Sequence, residues 1–301
     1  MMKHIFNFLI FPGFIFTALV GLVASWIDRK VTARVQWRVG PPWYQPFIDL
    51  VKLSIKEITV PKNSSKMLFL ISPLIGLSAV ILASTFIWLP NIGLGDSGFR
   101  GDIIVVLYLL TLPAIALMLG ASSSGNPLAS LGLSREIKLI LAYELPFIIA
   151  LTVPIIKSGG LLGLQDLIGY QATNGVFASS LSGILALLVA IFCMQAKLGL
   201  VPFDVGEAET EIMAGTHIEY SGILLAILKL TKHMMMVALP LFLITIFWGG
   251  FNVFKYVALL VIIILMRNTN PRVRIDQAVR FFWRKMTFIA VIAALLATLG
   301  R

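Results

Sequence analysis

Ionisable side chains within apolar stretches are the first feature of this sequence that could do chemistry. Glu144 stands inside one apolar run, and Lys229, Lys232 and His233 stand inside a later one. Spacings of three and four residues place these three on one face of a helix. A charge at mid-bilayer costs about 2.5–3.5 kcal/mol, and such groups usually line polar paths or meet partners. We predict that Glu144 pairs with this basic face in an ion path; the alternative is snorkelling towards the membrane surface.

A second cluster is an acidic segment between two apolar stretches. Its carboxylates follow one another closely: Asp204, Glu207, Glu209, Glu211 and Glu219. At helical spacing, Asp204, Glu207 and Glu211 share a face, and crowding of like charges raises the pKa of carboxylates. We therefore expect this segment to hold protons. The alternative is a solvated acidic loop that balances nearby basic loops.

The remainder of the chain is apolar enough to be a membrane protein. Its 301 residues are 58% hydrophobic, with a mean hydropathy of +0.95, whereas soluble domains are about 45–50% apolar. A span of about 20 apolar residues crosses a hydrocarbon layer about 30 Å thick. The predicted spans are 5–26, 68–89, 103–119, 137–156, 181–200, 220–248, 253–266 and 281–299. We predict an all-α integral membrane protein of about eight transmembrane helices, a single domain over residues 1–301.

Basic residues are concentrated in alternate loops, chiefly those after the first and seventh spans. Such loops usually face the cytoplasm. The predicted cytoplasmic loops are 27–67, 120–136, 201–219 and 267–280, so both termini are expected on the outer side. In the first loop, Phe47, Val51 and Ile55 recur at helical spacing opposite Asp49 and Lys52. This pattern predicts an amphipathic helix lying in the membrane interface.

Residues that bind redox cofactors are scarce. Cys193 is the single cysteine, so this chain alone cannot build a cysteine-ligated iron–sulfur cluster. Its position within an apolar stretch is typical of a small buried side chain. His4, His217 and His233 show no metal-ligand spacing, and no Gly-rich nucleotide loop is present. We expect no cofactor or metal in this chain, with the electrons of any associated reaction travelling in partner subunits.

Several linked motifs in a fixed order carry a family resemblance. They occupy residues 28–41, 45–52, 56–57, 134–136, 143–144, 202–220 and 271–277. In these segments the chain resembles the membrane subunit that forms the quinone chamber of respiratory complex I (NADH dehydrogenase subunit 1). It also resembles the homologous subunits of membrane-bound nickel–iron hydrogenases and related sulfur reductases. The resemblance implies a subunit that docks a peripheral redox arm.

The resemblance also implies roles for particular residues. It implies that Glu144 and the acidic segment start an ion-coupling pathway leading into antiporter-like membrane subunits. It implies that loop arginines form the docking face, where guanidinium groups suit carboxylates of a partner. These arginines are Arg29, Arg34, Arg38, Arg272 and Arg274. For each of them, snorkelling or holding an internal carboxylate is the alternative.

Residues 40–46 depart from the complex I pattern, because quinone-reducing relatives usually carry a longer Gly-rich insertion there. The compact loop looks more like the ferredoxin-linked hydrogenase or sulfur-reductase branch. The resemblance then implies coupling of electron transfer to proton or sodium translocation in the cytoplasmic membrane of a prokaryote. The implied partner subunits are hydrogenase-like and iron–sulfur proteins, which hold iron–sulfur clusters and a nickel–iron centre. A quinone-binding subunit, a stand-alone ion transporter and a passive anchor are the alternatives.

Overall fold

The structure, a computed structural model, describes residues 2–62, 64–93 and 101–300. These residues form helices and no β-strand. The helices are α1 (Met2–Leu9), α2 (Phe14–Val35), α3 (Gln45–Ile55), α4 (Lys66–Ile92), α5 (Asp102–Ser123), α6 (Pro127–Lys157), α7 (Leu164–Asn174), α8 (Leu181–Lys197), α9 (Glu209–Ile212), α10 (Gly222–Phe247), α11 (Val253–Thr269), α12 (Ile275–Arg280) and α13 (Thr287–Thr298). A π-helical turn, Phe281–Met286, joins α12 to α13.

Within the described residues, six helical stretches are long and apolar enough to cross a membrane. They are His4–Val35, Lys66–Ile92, Asp102–Ser123, Pro127–Lys157, Gly222–Phe247 and Ile275–Thr298. The predicted all-α membrane architecture is confirmed at this level. The count of eight is not established by helix length, since α8 and α11 have 17 residues each.

Loops that are far apart in sequence meet at one end of the helix bundle. The Ser65 amide donates to the Ser123 carbonyl at 3.1 Å, and the Val273 amide donates to the Pro202 carbonyl at 3.0 Å. The Asn126 amide group donates to Glu219. The four loops predicted to be cytoplasmic therefore lie together, and we call this side of the bundle the charged end.

The described parts of the other connections lie at the opposite end. The Asn91 side chain of α4 donates to Thr245 of α10 at 2.8 Å. Trp88, beside it, packs edge-on against Phe16 near the start of α2. Gly300 lines a cavity with Lys157, which ends α6. Gly300 and the start of α2 thus lie away from the charged end.

The first predicted span lies within the membrane-crossing stretch His4–Val35, but its helix is interrupted and ends later than predicted. The chain leaves the helix between α1 and α2, where Pro12 has no N–H to donate to a helical hydrogen bond. The Thr17 hydroxyl donates to the Pro12 carbonyl at 2.9 Å. Beyond the break, α2 continues to Val35 and does not end near Trp26. Arg29 and Arg34 consequently lie on a helix and not in a loop.

Helix α10 lies at the centre of the bundle and positions the basic side chains. From Met234 to Phe247 it is buried all round, as expected for a helix that is apolar on every face. Gly21 lets α2 approach it closely, because a Cβ there would lie 2.6 Å from the His233 carbonyl oxygen. At the edge of the bundle, α3 packs on α10 and α2 and leaves Val51 and Ile55 exposed, as expected for the predicted amphipathic helix.

Candidate ion-coupling site

Glu144 forms an ion pair inside the bundle. Lys197 Nζ lies 2.9 Å and 3.1 Å from its two carboxylate oxygens, and the Thr111 hydroxyl donates to Oε1 at 2.7 Å. The side chain of Lys197 is 1% exposed and that of Glu144 is 19% exposed. The Lys197 ammonium also lies over the rings of Tyr143 and Phe147, at 5.7 Å and 5.2 Å from their centroids. The pair and Thr111 join α5, α6 and α8.

The predicted pairing of Glu144 with the basic face of α10 is wrong. Helix α6 packs closely against α8 and scarcely touches α10, so the lysine within reach is Lys197. Sequence reasoning missed Lys197 because a lysine that ends an apolar stretch usually snorkels to the surface. Its place inside the predicted span 181–200 was the signal that could have identified it.

The acidic segment does not form one helix, so the predicted crowding of like charges is also wrong. A 3-10 turn, the short helix α9 and a second 3-10 turn follow one another, and Met213 and Ala214 have positive φ. Three of its carboxylates each meet a separate cation. The pairs are Asp204 with Arg272 at 2.9 Å, Glu207 with Lys232 at 2.6 Å, and Glu211 with Arg135. The side chain of Glu209 lies outside the described part of the chain.

Glu207 is stabilised as a carboxylate. Burial raises the pKa of this group, but two nearby side chains outweigh burial and hold the pKa below its ordinary value. They are Lys232 at 2.6 Å and His217 at 3.1 Å. In this conformation Glu207 carries a negative charge and does not hold a proton, contrary to the expectation for the segment.

A cavity of about 70 Å³ lies between the Glu144–Lys197 and Glu207–Lys232 ion pairs. It is lined by Lys197 from one pair and by Glu207 and Lys232 from the other. A water molecule needs about 10–15 Å³ of such volume, so several waters fit. The cavity therefore has room for water between Lys197 of the Glu144 pair and Glu207 of the acidic segment.

Glu136 lines the same cavity and was not singled out as a site residue from the sequence. It lies on α6 beneath the acidic segment, where a Cβ on Gly206 would be 2.3 Å from its carboxylate. A glycine at 206 lets the two segments approach this closely. The motif at residues 134–136 was the sequence signal for it.

Two larger cavities continue from Glu207. Their volumes are about 350 and 380 Å³, and both are lined by Arg29, Glu207, Lys232 and His233. Lys229 lines the second of them, so Lys229, Lys232 and His233 face one space, as their spacing predicts. Charged groups thus extend from the charged end to Glu144.

Two of the proposed docking arginines bind carboxylates of this chain. Arg29 pairs with Asp49 at 2.7 Å, and Arg272 pairs with Asp204. This is the alternative role that the sequence left open. Arg34, Arg38 and Arg274 are exposed at the charged end. Within residues 2–62, 64–93 and 101–300, no group of three or more His, Cys, Asp or Glu side chains could hold a metal ion.

Fold and site together define a helical membrane protein in which ion pairs and cavities lead from a charged end into the bundle. A family model described as NADH dehydrogenase matches residues 8–298. A subunit of the NADH-quinone oxidoreductase of Thermomicrobium roseum is 32% identical over 93% of this chain and 92% of the relative. The corresponding subunit from Anoxybacillus flavithermus is 31% identical over 88% of this chain and 84% of the relative.

A solved structure of an archaeal respiratory membrane complex contains a chain with the same fold. A chain of that membrane-bound sulfane sulfur reductase superposes with a TM-score of 0.85 at 32% identity, over 94% of this chain and 96% of that one. The chain therefore belongs to the NADH dehydrogenase family of membrane subunits. It is a multi-pass membrane subunit of a complex I-type respiratory complex of bacterial or archaeal type.

Proposed function

We propose that this chain couples electron transfer in a peripheral redox arm to proton or sodium translocation by neighbouring antiporter-like subunits. The observation that carries the proposal is the series of charged groups from Glu207 through Lys197 to Glu144, joined by a cavity with room for water. Buried charges cost free energy, and a passive anchor would gain nothing from them. The arm would consist of iron–sulfur and hydrogenase-like subunits.

A movement of the acidic segment would change the proton affinity of Glu207. With Lys232 at 2.6 Å its pKa is lowered, whereas burial alone raises it. Separating the two side chains would therefore raise the pKa and let Glu207 take up a proton. Such a movement, driven by redox change at the docking face, would pass charge along the cavity to Lys197 and Glu144.

The lining of the two larger cavities supports the hydrogenase or sulfur-reductase branch over quinone binding. Pockets for organic cofactors are mostly apolar with a few polar groups. Here Arg29, Glu207, Lys232 and His233 line both cavities. The relatives named as quinone oxidoreductases keep quinone binding as the second candidate. Nickel in the purified complex would indicate a hydrogenase; its absence together with quinone reduction would contradict this assignment.

We also propose that α8 and α11 cross the membrane, giving eight spans with the charged end in the cytoplasm. Each has 17 residues, or about 26 Å of helix, close to the thickness of the hydrocarbon layer. Both helices connect the opposite end of the bundle to the charged end. The thiol of a Gly300→Cys variant should react with a membrane-impermeant reagent from outside the cell; reaction only from the cytoplasm would contradict this orientation.

Glu144→Gln tests the coupling proposal in the assembled complex. The amide keeps the shape of the side chain but removes the charge, so electron transfer should continue while the ion gradient in inverted vesicles is lost. Glu57→Gln is the matched control, since Glu57 is exposed and lies outside the cavities. An undiminished gradient in Glu144→Gln would refute the proposal.

A further inference from the structure

A groove at the charged end is lined by cations and aromatic rings. It has a volume of about 470 Å³ and lies between α8, the segment after α8, and the junction of α12 with α13. Arg280, Arg284 and Lys285 line it, and none of its described lining residues is acidic. Ligand pockets in proteins commonly measure about 300–1,000 Å³. The groove therefore has the size and charge of a site for an anion.

The three cations have no ion pair with any residue that the structure describes. By contrast, Arg267 and Arg272, which precede them in the chain, each hold a carboxylate. The π-helical turn brings the three together, because its i to i+5 hydrogen bonds place residues four and five positions apart over one another. The local structure thus concentrates positive charge that the chain itself does not neutralise.

The groove also has an apolar wall. Phe281 packs against Phe192 with ring centroids 5.4 Å apart, and against Phe203 at 5.8 Å. Phe192 lies more than one turn inside α8 from its end at Lys197, so the wall runs from the charged rim towards the interior of the membrane. Trp283, which is 57% exposed, marks the depth of the interface, where tryptophan is enriched. A free phosphate ion would leave this wall unused.

We propose that the groove binds an anionic phospholipid. The phosphate would lie among Arg280, Arg284 and Lys285, and an acyl chain would lie against Phe192 and Phe281. Basic pockets between transmembrane helices are attractive to anionic headgroups through charge complementarity. The lipid site does not depend on ion coupling, so a result against one proposal would leave the other unchanged.

The test uses the intact complex in vesicles that contain phosphatidylglycerol with a photoactivatable acyl chain. Illumination should cross-link the lipid to peptides that contain Phe192 or Phe281. A phosphatidylcholine probe of the same chain should label them weakly. Each cation removed should weaken lipid binding about fivefold. Labelling of the double variant Arg280→Gln/Arg284→Gln should therefore fall roughly 25-fold.

Lys62→Gln/Lys66→Gln is the matched control, because these two exposed cations lie at the same end but outside the groove. Its labelling should equal that of the unmodified complex. Equal labelling by both lipids, or by the arginine variant and the unmodified complex, would overturn the proposal. Photoreactive benzoylphenylalanine in place of Phe281 tests the site without removing charge. Capture of a neighbouring subunit and no lipid would show a protein interface instead and would also overturn it.

Discussion

At the residue scale, Lys197 and Glu144 each neutralise the charge of the other inside the bundle. Each is largely shielded from water, and the lysine donates to both carboxylate oxygens. Removing one member of a buried pair leaves a charge without a partner and costs about 3–5 kcal/mol, whereas replacing both members is often nearly neutral. The pair is therefore a structural element as well as part of the proposed path.

Lys197→Met should lower the temperature at which the purified complex unfolds, because Glu144 loses its partner. The double variant Glu144→Gln/Lys197→Met should recover most of that loss, as expected for two directly coupled residues. Thermal unfolding of the four complexes in a double-mutant cycle measures this. If the effects of the two single changes simply add, the two groups do not interact as the geometry indicates.

Glu207 gives a prediction on pH. Its pKa in the folded chain is lowered from 4.5, so its stabilisation is complete above that pH and is lost as the pH falls below it. In Lys232→Met the carboxylate loses the cation that lowers its pKa most, while burial still raises it, so the pKa of Glu207 rises. The stability lost in this variant should therefore be largest above the raised pKa and should shrink as the pH falls through it.

Lys229→Met is the control for this measurement. Lys229 lies on the same helix but is exposed and forms no ion pair with the described residues. The difference in unfolding temperature between this control and the unmodified complex should not change with pH. A loss in Lys232→Met that is equally independent of pH would contradict the role assigned to the pair.

At the scale of elements, the acidic segment is held in place by close packing on α6. A Cβ on Gly132 would lie 2.9 Å from both the Gly206 oxygen and the Thr216 nitrogen. Both are backbone atoms, so the clash cannot be relieved by turning a side chain. The position of Glu207 and His217 therefore depends on a glycine in a helix that contains neither residue.

Gly132→Ala should displace the acidic segment and reduce both the ion gradient and the unfolding temperature of the complex. Gly76→Ala is the matched change, because a Cβ at position 76 would lie 3.5 Å from its nearest neighbours, which is an ordinary van der Waals contact. There the alanine should be neutral or stabilise the helix by up to about 1 kcal/mol. Equal effects of the two substitutions on thermal stability would show that the close approach at Gly132 is unimportant.

At the scale of the whole molecule, the charged end gathers loops that are distant in sequence into one surface. Arg34 and Arg38 are exposed on it, and Trp37 between them is 97% exposed. Exposed aromatic and arginine side chains are typical of protein interfaces. This surface is our proposed contact with the peripheral arm.

Arg34→Gln/Arg38→Gln should release the arm from membranes at lower salt concentration than the unmodified complex does, since rim charges contribute screened attraction. The fraction of arm subunits that remains on membranes after washing at rising ionic strength measures this. Lys62→Gln/Lys66→Gln removes the same charge from the same end and should retain the arm. Identical release curves for the two double variants would exclude a specific role for the arginines.

Local sequence was enough to establish the class of protein and most of its helices. Apolar length marks a membrane-crossing segment, and helical spacing places Lys229, Lys232 and His233 on one side of α10. Both are properties of a short stretch of chain. The order of the motifs likewise identified the family, since motifs can be recognised without knowledge of what they contact.

Which charges meet was decided by the packing of the helices. Glu144 pairs with Lys197 because α6 packs on α8. Three carboxylates of one segment meet three different partners because the extended backbone at Ala208 interrupts that segment between a 3-10 turn and α9. Spacing along a sequence gives the direction of a side chain relative to its own helix. The identity of its partner depends on how separate helices pack, and that is a property of the whole bundle.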